Sequence, residues 1–311
     1  MNKTRTILLG GMVTIGIIGI VWLRNHQTRS NVPPDQLIKK IAVVTSFYPL
    51  YYFASEIGKD NIHIVNVTPA GAEPHDYEPT SGDIARIERA NLLILNGVVE
   101  PWGDKMIENV KGKPVTVVVV GRDVITDQTS DEHGQSGRDP HVWLSPLLAS
   151  IEVEKILRGF LTVDPGNAAV YQAHAKTLQA SLDGLDMEYR NGLASCSQKD
   201  IITSHAAFGY LASAYGLRQL SISGLSPDAE PSARQLADIA QFAKIHSIHY
   251  IFFESLVSPK LAETIATSVG AKTLVLNPLE GLTDEEQTQG KTYLTEMETN
   301  LKNLQLALSC R

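Results

Sequence analysis

The chain has 311 residues, of which 43% are hydrophobic and 20% are charged, so it can build ordered cores and is not a disordered protein. This length exceeds the size at which a single hydrophobic core usually stops growing, and two folded units are expected. The net charge is −7, from 27 basic and 34 acidic residues, which argues against a nucleic acid as a partner.

The first 40 residues combine a targeting segment with a polar linker. Lys3 and Arg5 precede an uncharged, largely apolar run at residues 7–23, as in a secretory signal or a membrane anchor. As a helix this run would be about 25 Å long, slightly shorter than a hydrocarbon core of about 30 Å. No Ala-x-Ala cleavage site and no cysteine lies near it, so a cleaved signal and an uncleaved anchor both stay open. Arg24 and Arg29 beyond the run leave its orientation undecided from charge alone, and the rest of the chain is expected outside the cytoplasm, in the periplasm or at the cell surface.

From residue 41 the sequence alternates strand-like and helix-like segments in two series. In the first series, strands are predicted at residues 41–45, 62–68, 92–95 and 115–120, and helices at residues 50–57, 81–89, 102–109 and 146–160. A long helix is predicted at residues 165–192. In the second series, strands are predicted at residues 200–203, 219–222, 250–253 and 273–276, and helices at residues 207–215, 232–246, 259–269 and 289–308. Such alternation indicates parallel sheets with crossover helices, and hence two similar α/β lobes joined by a long bridging helix.

The expected boundaries follow from this alternation. The N-terminal lobe is predicted at residues 41–163, the bridging helix at 164–192 and the C-terminal lobe at 193–311. In open α/β sheets, ligands bind beyond the carboxyl ends of the strands. His75 and His205 each follow a predicted strand, so the cleft between the lobes is the expected ligand site.

Three histidines lie in loops or at strand ends. His75 is flanked by prolines that fix an extended loop, which reduces the entropy lost when the side chain coordinates a ligand. His141 follows an Asp-Pro pair, and His205 ends an apolar strand. Three such imidazoles are a common nitrogen set for zinc. His133, in a polar loop, is at most a weak accessory site, and Trp143 is expected to pack instead of binding a ligand.

Five short segments carry a more specific pattern. They are Glu73-Pro74-His75-Asp76-Tyr77-Glu78-Pro79, Asn96-Gly97 with Glu100-Pro101-Trp102, Asp139-Pro140-His141-Val142-Trp143-Leu144, Thr203-Ser204-His205 with Phe208-Gly209-Tyr210, and Phe253-Glu254. In this order the segments resemble the metal-specific solute-binding proteins of ABC transporters, from about residue 41 to the C-terminus. The resemblance implies two bridged α/β lobes, no enzymatic activity, and delivery of zinc or manganese to a membrane permease.

The resemblance also implies a metal site that contains His75, His141 and His205. Family members that carry manganese tend to have a carboxylate at the position of His205, whereas a third histidine resembles the zinc group. Imidazole nitrogen suits zinc, while manganese favours oxygen ligands. Zn²⁺ is therefore the predicted cargo, and Mn²⁺ fits this set of ligands less well.

The fourth ligand is predicted on the loop that contains Asn277 and Glu280. Many relatives have an aspartate at the position of Asn277, so this chain lacks the expected carboxylate there. Glu280 lies three residues later and is the preferred replacement, with Glu254 and a water as alternatives. Asn277 is expected to support the site through its amide.

Two other functions fit three histidines. A zinc hydrolase would keep an open fourth position, but the chain has no His-Glu-x-x-His helix. A surface adhesin with a structural zinc is the other alternative. The only two cysteines, Cys196 and Cys310, lack the CxxC spacing of metal ligands, and outside the cytoplasm they form either a disulfide or two free thiols.

Overall fold

A computed structural model describes residues 40–125, 129–130, 136–228 and 230–311. The predicted signal or anchor at residues 1–40, apart from its last residue, and the accessory role of His133 lie outside these ranges. Within them, no helix combines the length and the apolar character needed to cross a membrane.

The first lobe contains a four-stranded parallel sheet. Its strands are β1 (Ile41–Thr45), β2 (Ile62–Asn66), β3 (Leu92–Leu95) and β4 (Thr116–Val119), in the order β2-β1-β3-β4. Its helices are α1 (Tyr48–Gly58), α2 (Ser81–Ile87), α3 (Gly103–Val110) and α4 (Pro146–Val163). A short antiparallel pair, β5 (Thr129–Ser130) and β6 (Ser136–Gly137), lies between β4 and α4 in the chain, and α5 (Ala168–Leu193) follows α4.

The second lobe repeats this arrangement. Its strands are β7 (Asp200–Thr203), β8 (Arg218–Ser221), β9 (Tyr250–Phe253) and β10 (Lys272–Val275), in the order β10-β9-β7-β8 and again parallel. Its helices are α6 (Gly209–Tyr215), α7 (Ala233–Ile245), α8 (Lys260–Val269), α9 (Asp284–Thr288) and α10 (Tyr293–Ala307). Counted from its own first strand, each sheet has the order 2-1-3-4. The prediction of two similar α/β lobes is confirmed.

Helix α5 connects the lobes and has 26 residues. A 3₁₀ turn at Pro165–Asn167 precedes it, and Pro165 stands at the start of that turn, where the N–H that proline lacks would have no helical partner. The helix packs against α1 and α4 of the first lobe and against α6 and α10 of the second. Its buried apolar residues recur every three or four positions, from Tyr171 to Leu193, as expected for one helical stripe facing a core.

One apolar core therefore extends through both lobes. It includes Leu50 and Phe160 of the first lobe, Leu182 of α5, and Leu211 and Leu304 of the second lobe, all fully buried. Smaller apolar clusters cover the other face of each sheet. Because α5 belongs to the shared core, the carboxyl ends of the two sheets are held near each other.

The prediction of one helix at residues 289–308 is wrong at its start. In the structure this helix is α10, which begins at Tyr293, and α9 at Asp284–Thr288 was not predicted. Gly290, between the two helices, has φ +76°, a left-handed conformation that interrupts an α-helix. Thr283 and Thr292 each begin a helix with a capping box, in which the hydroxyl accepts a backbone N–H three residues later.

Cys196 and Cys310 are joined in a disulfide, which is one of the two alternatives left open by the sequence. Cys196 precedes β7, and Cys310 follows α10 near the C-terminus. The bond lies at the amino end of β7, whereas His205 follows the carboxyl end of that strand.

Candidate metal centre

Four loops bring the predicted ligands together. His75 lies between β2 and α2, His141 directly precedes a 3₁₀ turn at Val142–Leu144, His205 follows β7 by two residues, and Glu280 lies between β10 and α9. One potential ligand atom from each side chain lies within 4.8 Å of the others. Two of these loops belong to each lobe.

The carboxylate of Glu280 lies at the centre of this cluster. Its Oε1 atom is 3.1 Å from Nε2 of His75, 3.1 Å from Nε2 of His141 and 3.4 Å from Nε2 of His205. The Nε2 atoms of His141 and His205 are 3.3 Å apart. His141, His205 and Glu280 are at most 1% exposed, whereas the side chain of His75 is 12% exposed. Three imidazole nitrogens and one carboxylate oxygen form a compact set that matches four-coordinate zinc.

Two further carboxylates fix the histidine rings from behind. Nδ1 of His141 donates to Oδ1 of Asp139 at 2.7 Å, and Nδ1 of His205 donates to Oε1 of Glu254 at 2.6 Å. The same oxygens accept the backbone N–H groups of His141 at 3.0 Å and His205 at 3.2 Å. With Nδ1 protonated, the lone pair of each neutral ring is on Nε2, which faces Glu280. Glu254, which the sequence analysis kept as an alternative fourth ligand, therefore orients His205 and is not part of the cluster.

The electrostatics of the cluster favour a bound cation. Burial alone would lower the pKa of His141 and His205, but Asp139, Glu254 and Glu280 outweigh it and raise the pKa of both. Burial alone would raise the pKa of Glu280, but the positive charge on His205 and the histidine hydrogen bonds hold it well below its usual range. Because the neutral rings are the ligands, protons and a metal ion compete for these histidines.

Glu73 lies beside the cluster without joining it. Its Oε1 atom accepts the backbone N–H of His75 at 3.3 Å, and its Oε2 atom is buried without a hydrogen-bond partner among the described residues. Burial and the nearby charge of Glu280 raise the pKa of Glu73 to about 9. Glu73 is accordingly not one of the four side chains whose potential ligand atoms converge.

Asn277 supports the loop that carries Glu280. Its side-chain oxygen accepts the backbone N–H of Leu279 at 2.8 Å, two residues along the chain. Trp143 is fully buried and packs against His141, with ring centroids 5.2 Å apart. Both observations agree with the supporting roles expected from the sequence.

The sequence reasoning missed the orienting roles of Asp139 and Glu254. For Asp139 a signal was present, because a carboxylate two residues before a histidine can reach both its backbone N–H and its ring. For Glu254 no local signal exists, since it lies 49 residues from His205 and reaches it only because β7 and β9 are neighbours.

The comparisons with known families agree with this geometry. The family model of ZnuA, described as the periplasmic component A of the zinc-uptake complex, matches residues 43–307. The chain is 41% identical over 295 residues to the high-affinity zinc uptake system protein ZnuA of Bacillus subtilis, which covers 91% of this chain and 92% of that protein.

Two further matches concern a longer protein. The chain is 40% identical over 277 residues to the zinc-binding lipoprotein AdcA of Streptococcus pneumoniae, covering 85% of this chain but 55% of AdcA. It therefore spans about half the length of AdcA. The crystal structure of the Zn(II)-bound ZnuA-like domain of that AdcA matches with a TM-score of 0.76 and 39% identity, covering 86% of this chain and 99% of the domain.

Proposed function

Because this chain belongs to the family of ZnuA, the periplasmic component A of the zinc-uptake complex, we propose that it captures zinc outside the cytoplasm and delivers it to the permease of an ABC transporter. The observation that carries this proposal is the convergence of three histidines and one glutamate at a nearly closed site. Zinc is the cargo of such a protein. The family consists of solute-binding proteins, and the chain is accordingly not an enzyme.

The residues that would bind the ion are His75, His141, His205 and Glu280. Their three nitrogens and one oxygen supply the four ligands that Zn²⁺ prefers, while Mn²⁺ is better served by a larger set of oxygens. The burial of three of the four side chains supports tight binding, because water competes poorly for the ion in such a site.

The two alternative functions are not favoured. A catalytic zinc needs an open position for water or substrate, and Glu280 lies where the fourth ligand would be. The family that matches is a zinc-uptake component, and neither a hydrolase nor an adhesin is needed to account for the site.

The proposal is tested by zinc titration of the purified protein and of three variants, His75→Ala, His141→Ala and His205→Ala. We expect about one zinc per chain in the parent, and a loss of affinity of more than about 100-fold in each variant, because an outer-shell partner alone is typically worth about 10- to 100-fold. His249→Ala is the matched control, since this histidine is exposed on the surface. Parent-like affinity in all three site variants would refute the proposed ligands.

Attachment to the membrane is a separate part of the proposal. An uncleaved run at residues 7–23 would keep the protein at the outer face of the membrane, and a cleaved one would release it. The intact mass of the protein from membrane and soluble extracytoplasmic fractions distinguishes these forms. Recovery from the cytoplasm alone would contradict both.

A further inference from the structure

We propose that helix α10 positions Glu280, through Asn300 and Tyr293, and thereby sets the preference of the site for a four-coordinate metal. This inference rests on the proposed function. It assigns to the C-terminal helix, which supplies no ligand, a role in the choice of the bound metal.

The loop that carries Glu280 needs support from outside itself. Strand β10 ends at Val275, and Glu280 follows five residues later. Leu279, directly before Glu280, has φ +60°, a left-handed conformation that a non-glycine residue adopts at a cost. Such a turn persists only where neighbouring groups hold it, and the side chain after it points into the cluster.

Asn300 of α10 supplies the first support. Its Oδ1 atom accepts the backbone N–H of Asn277 at 2.8 Å, and its Nδ2 atom donates to the carbonyl of Asn277 at 2.7 Å. Asn300 is 1% exposed, so water hardly competes for these bonds. The side-chain oxygen of Asn277 in turn accepts the backbone N–H of Leu279 at 2.8 Å. The hydrogen bonds that begin at Asn300 therefore extend to the residue directly before Glu280.

Tyr293 supplies the second support from the same helix. It lies seven residues before Asn300, two turns away on the same face of α10, and both side chains are buried. Its hydroxyl donates to the carbonyl of Trp143, and the indole N–H of Trp143 donates to the carbonyl of Pro278 at 2.7 Å. Since Trp143 follows His141 by two residues, α10 ties the loop of Glu280 to a ligand-bearing segment of the other lobe.

These contacts hold the loop so that the Glu280 carboxylate lies close to three histidine nitrogens. Zn²⁺ accepts four ligands, whereas Mn²⁺ favours six oxygen ligands in octahedral geometry. Because the loop backbone is held, the Glu280 carboxylate cannot easily move back to admit bidentate binding or extra waters. A loosened loop would permit both, so it should weaken zinc binding more than manganese binding.

The experiment compares Asn300→Ala with Asn303→Ala. Asn303 is the matched control, because it also lies on α10 and donates to the same stretch of chain, to the carbonyl of Val275 at 2.9 Å, before the turn begins. Zinc and manganese affinities are measured by competition, and the coordination number is read from the visible absorption of the Co²⁺-loaded proteins.

For Asn300→Ala we expect zinc affinity to fall by up to about 10-fold, the lower end of what the loss of a direct partner of a ligand costs, because Asn300 reaches Glu280 only through Asn277. The ratio of zinc to manganese affinity should fall as well, and the strong absorption of tetrahedral Co²⁺ should weaken. Asn303→Ala should leave the affinity ratio and the spectrum like those of the parent. A merely structural role of Asn300 would lower thermal stability without changing either readout.

A second variant keeps the inference testable if Asn300→Ala does not fold. Trp143→Phe removes the indole N–H that binds Pro278 and retains an aromatic ring, so it should shift the ratio and the Co²⁺ spectrum in the same direction by a smaller amount. The inference would be overturned if whichever of Asn300→Ala and Trp143→Phe folds has the same affinity ratio and the same Co²⁺ spectrum as the parent protein. If the parent protein still binds zinc, that result leaves the proposed function intact. If the parent protein binds no zinc, the proposed function is itself contradicted.

Discussion

At the scale of single residues, a carboxylate behind each of the two buried histidines orients its ring. Asp139 holds His141, and Glu254 holds His205, each through one carboxylate oxygen that accepts both the ring Nδ1–H and the backbone N–H. Rings fixed in this way lose little freedom on coordination, and their Nε2 atoms face Glu280. The carboxylates around the site therefore divide into one proposed ligand and two that orient ligands.

This division predicts different effects for Glu280→Gln and Glu254→Gln. The first variant removes a charged ligand, and we expect weaker zinc binding with a water in the vacated position. The second leaves the ligand set intact and weakens the hold on His205, with a loss of about 10- to 100-fold. Zinc titration gives the affinities, and the Co²⁺ spectrum reports whether a ligand has been exchanged. Full affinity in Glu280→Gln together with an altered spectrum in Glu254→Gln would transfer the ligand role to Glu254.

The pH dependence also belongs to single residues. Burial opposes the charged form of His141 and His205, but the surrounding carboxylates prevail and raise the pKa of both above the ordinary value of about 6.5. A histidine pKa raised by folding stabilises the metal-free protein fully below about pH 6.5, and this stabilisation is lost as the pH rises through the folded-state pKa. Zinc needs the neutral rings, so apparent zinc affinity should fall with decreasing pH, beginning above pH 6.5.

Competition titrations from mildly alkaline to mildly acidic pH measure this decrease, and thermal unfolding with and without zinc measures the linked stability. The stabilisation by zinc should shrink as the pH falls. An apparent affinity that stays constant over this range would contradict histidine ligation.

At the scale of elements, the loop after β3 positions the His141 segment. Gly97 has φ +97°, and its N–H donates to Oε2 of Glu100 at 2.8 Å. The neighbouring Asn96 donates from its side chain to the carbonyl of Pro140 at 3.1 Å, directly before His141. The glycine is needed because this turn lies in a region of φ that other residues rarely adopt.

Gly97→Ala should therefore lower the free energy of unfolding by about 1–3 kcal/mol from backbone strain, and by more if Val119 cannot move away from the added Cβ. Chemical denaturation measures the loss. Gly112→Ala is the matched control, because Gly112 also has positive φ, at +80°, while a Cβ there would meet nothing within 4 Å. Equal losses in the two variants would show that the contact with Val119 contributes nothing.

Strands and helices with a clear pattern of apolar residues could be predicted from the sequence. Boundaries that depend on the backbone conformation of one residue could be predicted less well. The apolar run of β3 was predicted at its observed bounds, Leu92–Leu95, because four consecutive apolar residues fit a strand buried on both faces. The short helix α9 was not predicted, and α10 was predicted to begin at residue 289, before Gly290, whose left-handed backbone conformation does not fit an α-helix. The left-handed turn at Leu279 was likewise not predictable, because the contacts that hold it come from Asn300 and Trp143, which are distant in sequence.

At the scale of the whole molecule, the two lobes share one apolar core. The presence of two lobes could be predicted because the alternation of strands and helices occurs twice in the sequence. The four proposed ligands could be predicted because histidines and a glutamate follow strands or lie in proline-bounded loops of a recognisable family pattern. Their geometry could not, since His75 and Glu280 are 205 residues apart and meet only through the packing of both lobes around α5.

The central claim is that this site captures zinc for transport, and zinc uptake by cells tests it most directly. A strain that lacks the gene for this protein is complemented with the parent, with His205→Ala or with His249→Ala, and the accumulation of radioactive zinc is measured at limiting zinc. We predict that the parent and His249→Ala restore uptake and that His205→Ala, produced at the same level, does not. Uptake restored equally by His205→Ala would contradict the claim.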